Sequence, residues 1–186
     1  MKYSILLLTL GLIFFSACNN DDDFVDPENQ LSYDGDNSAA PELPAGIYEA
    51  AVLFPQSITQ GFIGRTINEV RFFMGDIPST TRILISEAGN ANAPGAIAYA
   101  QNVSLNTPGS WNTIALDTPY EIDGTDLWIS LEVNHSQAIQ SVGCDAGPAV
   151  GNGDFIYEDA SQTWSSFRSY TSGGADINWN IRAILN

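Results

Sequence analysis

The stretch DLWISLEVN at residues 126–134 alternates apolar and other side chains with a period of two. One side of an extended segment would carry Leu127, Ile129, Leu131 and Val133. The opposite side would carry Trp128, Ser130 and Glu132. Because successive side chains of a β-strand point to opposite faces, this pattern predicts a central strand with one face in a core.

Similar short segments continue along the chain, separated by glycine, proline, asparagine and aspartate. They occupy residues 47–55, 67–75, 80–89, 96–105, 111–122, 139–147, 153–159, 163–170 and 177–185. No segment shows a sustained period of 3.6 residues, so helices are not expected to dominate. About ten short strands with frequent turn signals predict an all-β sandwich or barrel in one domain.

The N-terminal segment MKYSILLLTLGLIFFSA carries one positive charge, Lys2, ahead of an apolar run. The run is shorter than the roughly 20 apolar residues that span a bilayer, and small residues follow it. Residues 1–17 therefore form a predicted signal peptide. The sequence FSAC resembles the lipobox of bacterial lipoproteins, which implies that Cys18 is lipidated and becomes the first mature residue. The alternative is an ordinary cleaved signal with an incidental cysteine.

Residues 18–46 are acidic, polar and poor in apolar side chains, which predicts a flexible tether. Its start, NNDDD, resembles an export signal that routes some lipoproteins to the outer face of the outer membrane. That resemblance assigns the signal to Asp21, Asp22 and Asp23. The alternative is a solvated acidic spacer. The folded domain is expected to span residues 47–186.

The charge balance excludes one class of partner. The chain has 6 Lys and Arg residues against 22 Asp and Glu residues, a formal net charge of −16. Nucleic-acid binding depends on basic side chains that displace counterions from phosphates, so no nucleic-acid partner is expected. Anionic lipid headgroups would also repel this chain, and the membrane should therefore be contacted through the lipid anchor alone.

Several sequence segments, taken in order, resemble the jelly-roll modules of the cleaved-adhesin family, which accompany gingipains and haemagglutinins. They are YEAAVLFP (48–55), INEVRFFMG (67–75), PGSWNTIALDTPYEIDGTDLWISLEV (108–133), VGCDAGPAVGNGDFI (142–156), TWSSF (163–167) and NWNIRAIL (178–185). The resemblance implies a two-sheet jelly-roll β-sandwich and a role in adhesion or ligand binding. It carries over no ligand and no binding residues, because a fold does not define a function.

Catalytic residues are sparse, and no enzyme activity is expected. His135 is the single histidine, so any Ser/His/Asp triad would have to use it. Paired carboxylates such as Asp123 and Asp126 could serve a glycoside hydrolase. In a chain this acidic such pairs arise from composition, and the Asp-Gly of EIDGTD is typical of a turn. A carboxylate-dependent glycoside hydrolase is therefore the less favoured alternative.

No cofactor is required, although one loop has the chemistry for a structural Ca²⁺. The segment CDAGPAVGNGD offers Asp145, Asn152 and Asp154 around a glycine-rich loop. Calcium takes about six to eight oxygen ligands from carboxylates, carbonyls and water. The alternative is a flexible loop at the rim of a binding site. Cys144, in the same segment, is expected to be a small buried hydrophobe.

Trp128 is the predicted ligand contact, because strand alternation places it opposite the apolar stripe. An exposed ring there could stack on a sugar, although packing in the core is the general expectation for Trp111, Trp128, Trp164 and Trp179. The sequence thus predicts a lipoprotein anchored in the outer membrane, facing the cell exterior, that binds a glycan or a host or partner protein. The alternative function is a structural subunit of an outer-membrane nutrient-capture complex.

Overall fold

The computed structural model describes residues 27–105 and 107–186, which form a sandwich of antiparallel strands. The strands are Gln30–Leu31 (β1), Glu42–Leu43 (β2), Gly46–Phe54 (β3), Thr66–Met74 (β4), Thr80–Ser86 (β5), Ile97–Val103 (β6), Ser110–Glu121 (β7), Leu127–His135 (β8), Ile139–Gln140 (β9), Phe155–Glu158 (β10), Thr163–Ser166 (β11) and Ile181–Leu185 (β12). Two single-turn helices, Gln56–Thr59 (α1) and Phe167–Tyr170 (α2), and 3-10 turns at Pro27–Asn29 and Gln60–Phe62 lie between them.

The strands assemble into two main sheets and a small ribbon. One sheet has four strands in the order β1-β12-β4-β7, and the other has six in the order β11-β10-β3-β8-β5-β6. Strands β2 and β9 form the ribbon. Consecutive strands β3, β4 and β5 alternate between the two sheets, as do β7 and β8. The predicted all-β, jelly-roll β-sandwich is confirmed.

The core lies between the two sheets, and β8 contributes its predicted face to it. The side chains of Leu127, Ile129, Leu131 and Val133 are all buried. Strand β8 sits in the middle of its sheet, where Ile129 pairs with Val52 on one side and with Ile85 on the other. The alternation thus correctly predicted a central strand with one face in the core.

The predicted tether is wrong from residue 27 onward. Leu31 and Leu43 are buried, and β1 pairs with β12 through Gln30 and Ile184. The segment also runs across the outer face of the four-stranded sheet, where Asp34 contacts Arg182. Its few apolar side chains are far apart in sequence, so no local pattern indicated that each one fills a gap in the sandwich. The folded domain thus includes residues well before 47.

Several predicted features lie outside the described residues. They are the signal peptide (1–17), the lipidation site Cys18 and the acidic signal Asp21, Asp22 and Asp23. Among residues 27–105 and 107–186, no helix combines the length and apolar character needed to cross a membrane. Cys144 is a buried free thiol, as expected.

Candidate functional site

The face of β8 opposite the core carries Trp128, as predicted, but its ring is fully buried. The expectation of an exposed, sugar-stacking Trp128 is therefore wrong. The Phe155 ring lies 4.6 Å away between ring centroids, and the Trp164 ring 5.9 Å away. These neighbours come from β10 and β11, a hairpin that widens the sheet. Their approach depends on strand order, which the β8 sequence does not reveal.

The buried indole of Trp128 retains an unused hydrogen-bond donor. Its Nε1 has no acceptor among the described residues. By contrast, Nε1 of Trp179, which is also buried, donates to the carbonyl oxygen of Phe155 at 2.8 Å. Buried polar groups are nearly always paired, so the N–H of Trp128 is an exception to this rule.

Next to Trp128, one line of side chains crosses the whole six-stranded sheet. Strand register places them opposite one another in the order Trp164, Tyr157, Glu49, Glu132, Arg82 and Asn102. We call this set the cross-strand row. None of the six is fully buried. Because neighbouring strands lie about 4.8 Å apart, the row is about 24 Å long.

The row begins with an aromatic pair at the β11 edge. The rings of Tyr157 and Trp164 lie 5.4 Å apart between centroids and are inclined at 37° to each other. Both side chains are half-buried, so part of each ring is accessible. The general expectation of tryptophan in the core holds for Trp179 but not for Trp164. The sequence contained no sign of this difference, because both residues lie in short strand-like segments.

The middle of the row consists of two carboxylates. Glu49 and Glu132 are directly opposite on β3 and β8. Glu132 accepts a hydrogen bond from Nη1 of Arg82 at 2.9 Å, and Glu49 accepts one from the hydroxyl of Ser130 at 2.5 Å. Burial raises the pKa of Glu49, and the charge of Glu132 raises it further, against the hydrogen bond from Ser130. The pair therefore combines an ion-paired carboxylate, Glu132, with a carboxylate whose pKa is raised above its ordinary value, Glu49.

Sequence reasoning missed this carboxylate pair for a definite reason. Glu49 and its partner Ser130 are 81 residues apart in the chain. Only the register between β3 and β8 brings them together, and register depends on the packing of the whole sheet. The glutamates were therefore indistinguishable from the other acidic residues of the chain.

A concave feature lies at one end of the four-stranded sheet, with a volume of about 430 Å³. Its lining includes Asn37, Phe73, Gly75, Asp76 and Gln140. Gly75 is required here, because a Cβ at this position would lie 2.4 Å from the carbonyl oxygen of Gln140. We call this feature the end groove.

The loop predicted to hold Ca²⁺ is held together by its own hydrogen bonds. The carboxylate of Asp145 accepts from the backbone N–H groups of Gly35, Gly147 and Asn178 and from the side-chain amide of Asn178. Burial favours a higher pKa for Asp145, but these hydrogen bonds outweigh it and lower the pKa. Its oxygens are thus occupied by donors, which corrects its assignment as a calcium ligand.

The two other predicted ligands also have structural roles. Asp154 is buried and accepts from the backbone N–H of Arg168 at 3.2 Å. The carbonyl oxygen of Asn152 accepts from the N–H of Leu53 at 2.8 Å. In the part of the chain that the structure describes, no three His, Cys, Asp or Glu side chains are grouped to hold a metal. Each of the three residues thus has a role in the local structure, and a calcium site formed by them stays a prediction.

His135 and the sequence-predicted carboxylate pair are likewise engaged in local structure. His135 is buried, and its Nε2 lies 2.8 Å from the hydroxyl of Ser141. Burial lowers its pKa. The carboxylate of Asp123 accepts from both the N–H and the hydroxyl of Thr125, which lowers the pKa of Asp123. Asp126 accepts from the N–H of Gln56 at the start of α1.

The sequence matches no family model and no curated protein. The fold, however, is similar to solved structures of the surface-layer-associated cysteine protease Cwp84 of Clostridium difficile. Cwp84 after propeptide cleavage superposes with a TM-score of 0.60 at 12% identity, over 87% of this chain and 41% of that one. A structure of its cysteine protease and lectin-like domains gives 0.56 at 11% identity, over 87% and 37%. This chain thus spans about two fifths of the protein it resembles, and the likeness shows the fold alone.

Proposed function

We propose that this protein is a non-catalytic, cell-surface binding protein that holds a carbohydrate on its cross-strand row. The observation that carries the proposal is the composition of that row. Two accessible aromatic rings, two carboxylates, a guanidinium and an amide follow one another on a single sheet face. Binding sites typically combine aromatic surface with a few placed polar groups.

Each part of the row has a function in carbohydrate recognition. The apolar C–H face of a sugar ring would pack on Trp164 and Tyr157, where aromatic surface is accessible. Its hydroxyls would donate to the carboxylates of Glu49 and Glu132 and accept from Arg82 and Asn102. The length of the row suits an extended oligosaccharide rather than a single sugar.

The fold comparisons are consistent with this proposal. One of the two similar structures comprises lectin-like domains besides a cysteine protease. We infer that the matched two fifths of that chain is its lectin-like part, because this protein is a β-sandwich. The cleaved-adhesin resemblance of the sequence favours the same class of function, and we extend it to this chain as a proposal.

The proposed location follows from the N-terminal sequence. Lipidation of Cys18 would anchor the protein in the outer membrane, and Asp21, Asp22 and Asp23 would direct it to the cell exterior. An acidic body would then extend from the membrane with its binding row accessible. A structural subunit of a nutrient-capture complex remains the alternative, in which the row contacts a partner protein instead of a glycan.

A glycan array followed by calorimetry on the best ligand tests the proposal. Trp164→Ala and Glu132→Gln should each weaken binding about tenfold or more, as expected for central contacts. Asp76→Asn, a matched neutralisation in the end groove, should leave affinity unchanged. Absence of any glycan ligand, or loss of affinity only in the groove variant, would overturn the assignment of the row.

One observation favours a second candidate function, a glycoside hydrolase. Glycosidases use a pair of carboxylates whose environments push their pKa values apart. Burial raises the pKa of Glu49, while Glu132 is ion-paired with Arg82. If the row is catalytic, incubation with an array-selected oligosaccharide should release products, and Glu49→Gln should abolish release while retaining binding. Binding without turnover in the unmodified protein would exclude hydrolysis of that ligand.

A further inference from the structure

Where the segment 34–37 crosses the four-stranded sheet, three side-chain oxygens find no hydrogen-bond donor among the described residues. They are Oδ1 of Asp34, Oδ1 of Asn37 and Oδ1 of Asn180, and all three atoms are buried. The Asp34 side chain is 0% exposed, and Asn180 is also 0% exposed. Leaving a buried acceptor unpaired is destabilising, so three together need an explanation.

Asp34 and Asn180 are in contact on the outer face of the four-stranded sheet, and Asn37 lies over Gly143, which is hydrogen-bonded to Asn180. Nδ2 of Asn180 donates to Oδ2 of Asp34 at 2.7 Å and to the carbonyl oxygen of Gly35 at 3.3 Å. The N–H of Asn180 donates to the carbonyl oxygen of Gly143 at 2.9 Å. Oδ1 of Asn37 lies over Gly143, 2.6 Å from where a Cβ would stand. The segment 34–37 thus crosses Asn180 and Gly143 in turn.

The hydrogen bonds already present define which atoms remain unpaired. Arg182 donates to Oδ2 of Asp34 and to the carbonyl oxygen of Gly35, both at 2.9 Å. Its guanidinium also lies 4.1 Å from the Trp111 ring centroid, which holds it in place. Only the second oxygen of the Asp34 carboxylate is left without a partner.

We propose that Asp34, Asn37 and Asn180 bind a calcium ion through these three oxygens. Calcium prefers carboxylate, amide and carbonyl oxygens, and backbone carbonyls and water would complete its coordination. Asp36 and Asp145, which accepts from the N–H of Gly35, add negative charge nearby. Such an ion would attach the N-terminal segment to the sheet, independently of any glycan on the cross-strand row.

A bound water is the competing occupant, and it makes different predictions. One water has two hydrogens and can satisfy two of the three acceptors, whereas a cation satisfies all three. The test is thermal unfolding of the whole chain after treatment with a chelator, with and without Ca²⁺, together with calorimetric titration. A ligand that binds only the folded state raises Tm, by about 5 °C or more at a hundredfold excess over Kd.

Two substitutions at one position give opposite expectations. Asn37→Ala should reduce calcium affinity about tenfold or more without lowering the Tm of the calcium-free protein, because it removes an unpaired acceptor. Asn37→Asp should tighten calcium binding and lower the calcium-free Tm. Asn152→Ala, in the loop first predicted to bind calcium, is the matched control and should keep the full calcium-dependent rise.

Three results would overturn the proposal. They are no calcium-dependent rise in Tm for the unmodified protein, an unchanged rise in Asn37→Ala, and loss of the rise in Asn152→Ala alone. The first would exclude calcium as the occupant of the three oxygens. Glycan binding does not enter these measurements, so their outcome is separate from that of the proposed function.

Discussion

Glu49 and Glu132 face each other across neighbouring strands, yet among the described residues only Glu132 forms an ion pair. Arg82 neutralises Glu132 from the other side, while Glu49 receives a single hydroxyl hydrogen bond from Ser130. Two like charges directly opposite on a sheet are destabilising. Burial, and to a smaller extent the charge of Glu132, raise the pKa of Glu49 and so favour its uncharged form.

The raised pKa of Glu49 predicts a loss of stability with rising pH. The folded state holds this proton more strongly than the unfolded chain, whose ordinary value is 4.5. The contribution of Glu49 is therefore complete below that value and is lost as pH rises through the folded pKa. Glu49→Gln should remove this loss. Urea unfolding of both proteins between pH 4 and 7 measures the difference, with exposed Glu87→Gln as control, and parallel curves would contradict the prediction.

Core burial on both faces of β8 predicts that two adjacent substitutions are costly. Ile129 and Trp128 are each 0% exposed, on opposite faces of the sheet. Ile129→Ala should cost about 2–5 kcal/mol and Trp128→Ala about 3–5 kcal/mol in unfolding free energy. Denaturant melts measure both. A loss below about 1 kcal/mol for Trp128→Ala would show that its ring is not packed.

The thiol of Cys144 should be unreactive in the folded protein. Burial, and then the charge of Asp145, raise its pKa to about 11, and the thiolate is the reactive form. Iodoacetamide at pH 8 should therefore leave native protein unmodified and label it quantitatively in denaturant. Mass spectrometry after timed quenching distinguishes the two states, and rapid labelling of the native protein would contradict burial of the thiol.

Lipidation predicts that membrane attachment depends on one residue. Cys18→Ser should move the protein from the membrane fraction to the soluble fraction, because its acidic body is repelled by anionic headgroups. Fractionation after a high-salt wash, followed by immunoblotting, checks this. Retention of the variant in washed membranes would show that another part of the chain holds the bilayer.

The acidic run after Cys18 predicts the side of the membrane on which the protein is displayed. Changing Asp21, Asp22 and Asp23 to Ala should leave the protein lipidated but facing inward. Protease treatment of intact cells should then digest the unmodified protein and spare the variant. Equal digestion of both would mean that the three aspartates are a spacer.

Local sequence was sufficient for the class of fold and for the face of each clear strand. In β8, the period-two pattern placed Leu127, Ile129, Leu131 and Val133 in the core, where they lie. That success has a physical cause, since alternation is a property of the extended backbone and needs no knowledge of neighbours. The same locality explains why Trp128 was correctly assigned to the opposite face.

What lies beside each strand was decided only by tertiary structure. Whether Trp128 is exposed depends on Phe155 and Trp164, which belong to the β10–β11 hairpin later in the chain. The pairing of Glu49 with Glu132 depends on register, and a slip of β3 by one residue would send Glu49 to the other face and separate the two. Register and strand order minimise the free energy of the whole sandwich, so no short stretch of sequence contains them.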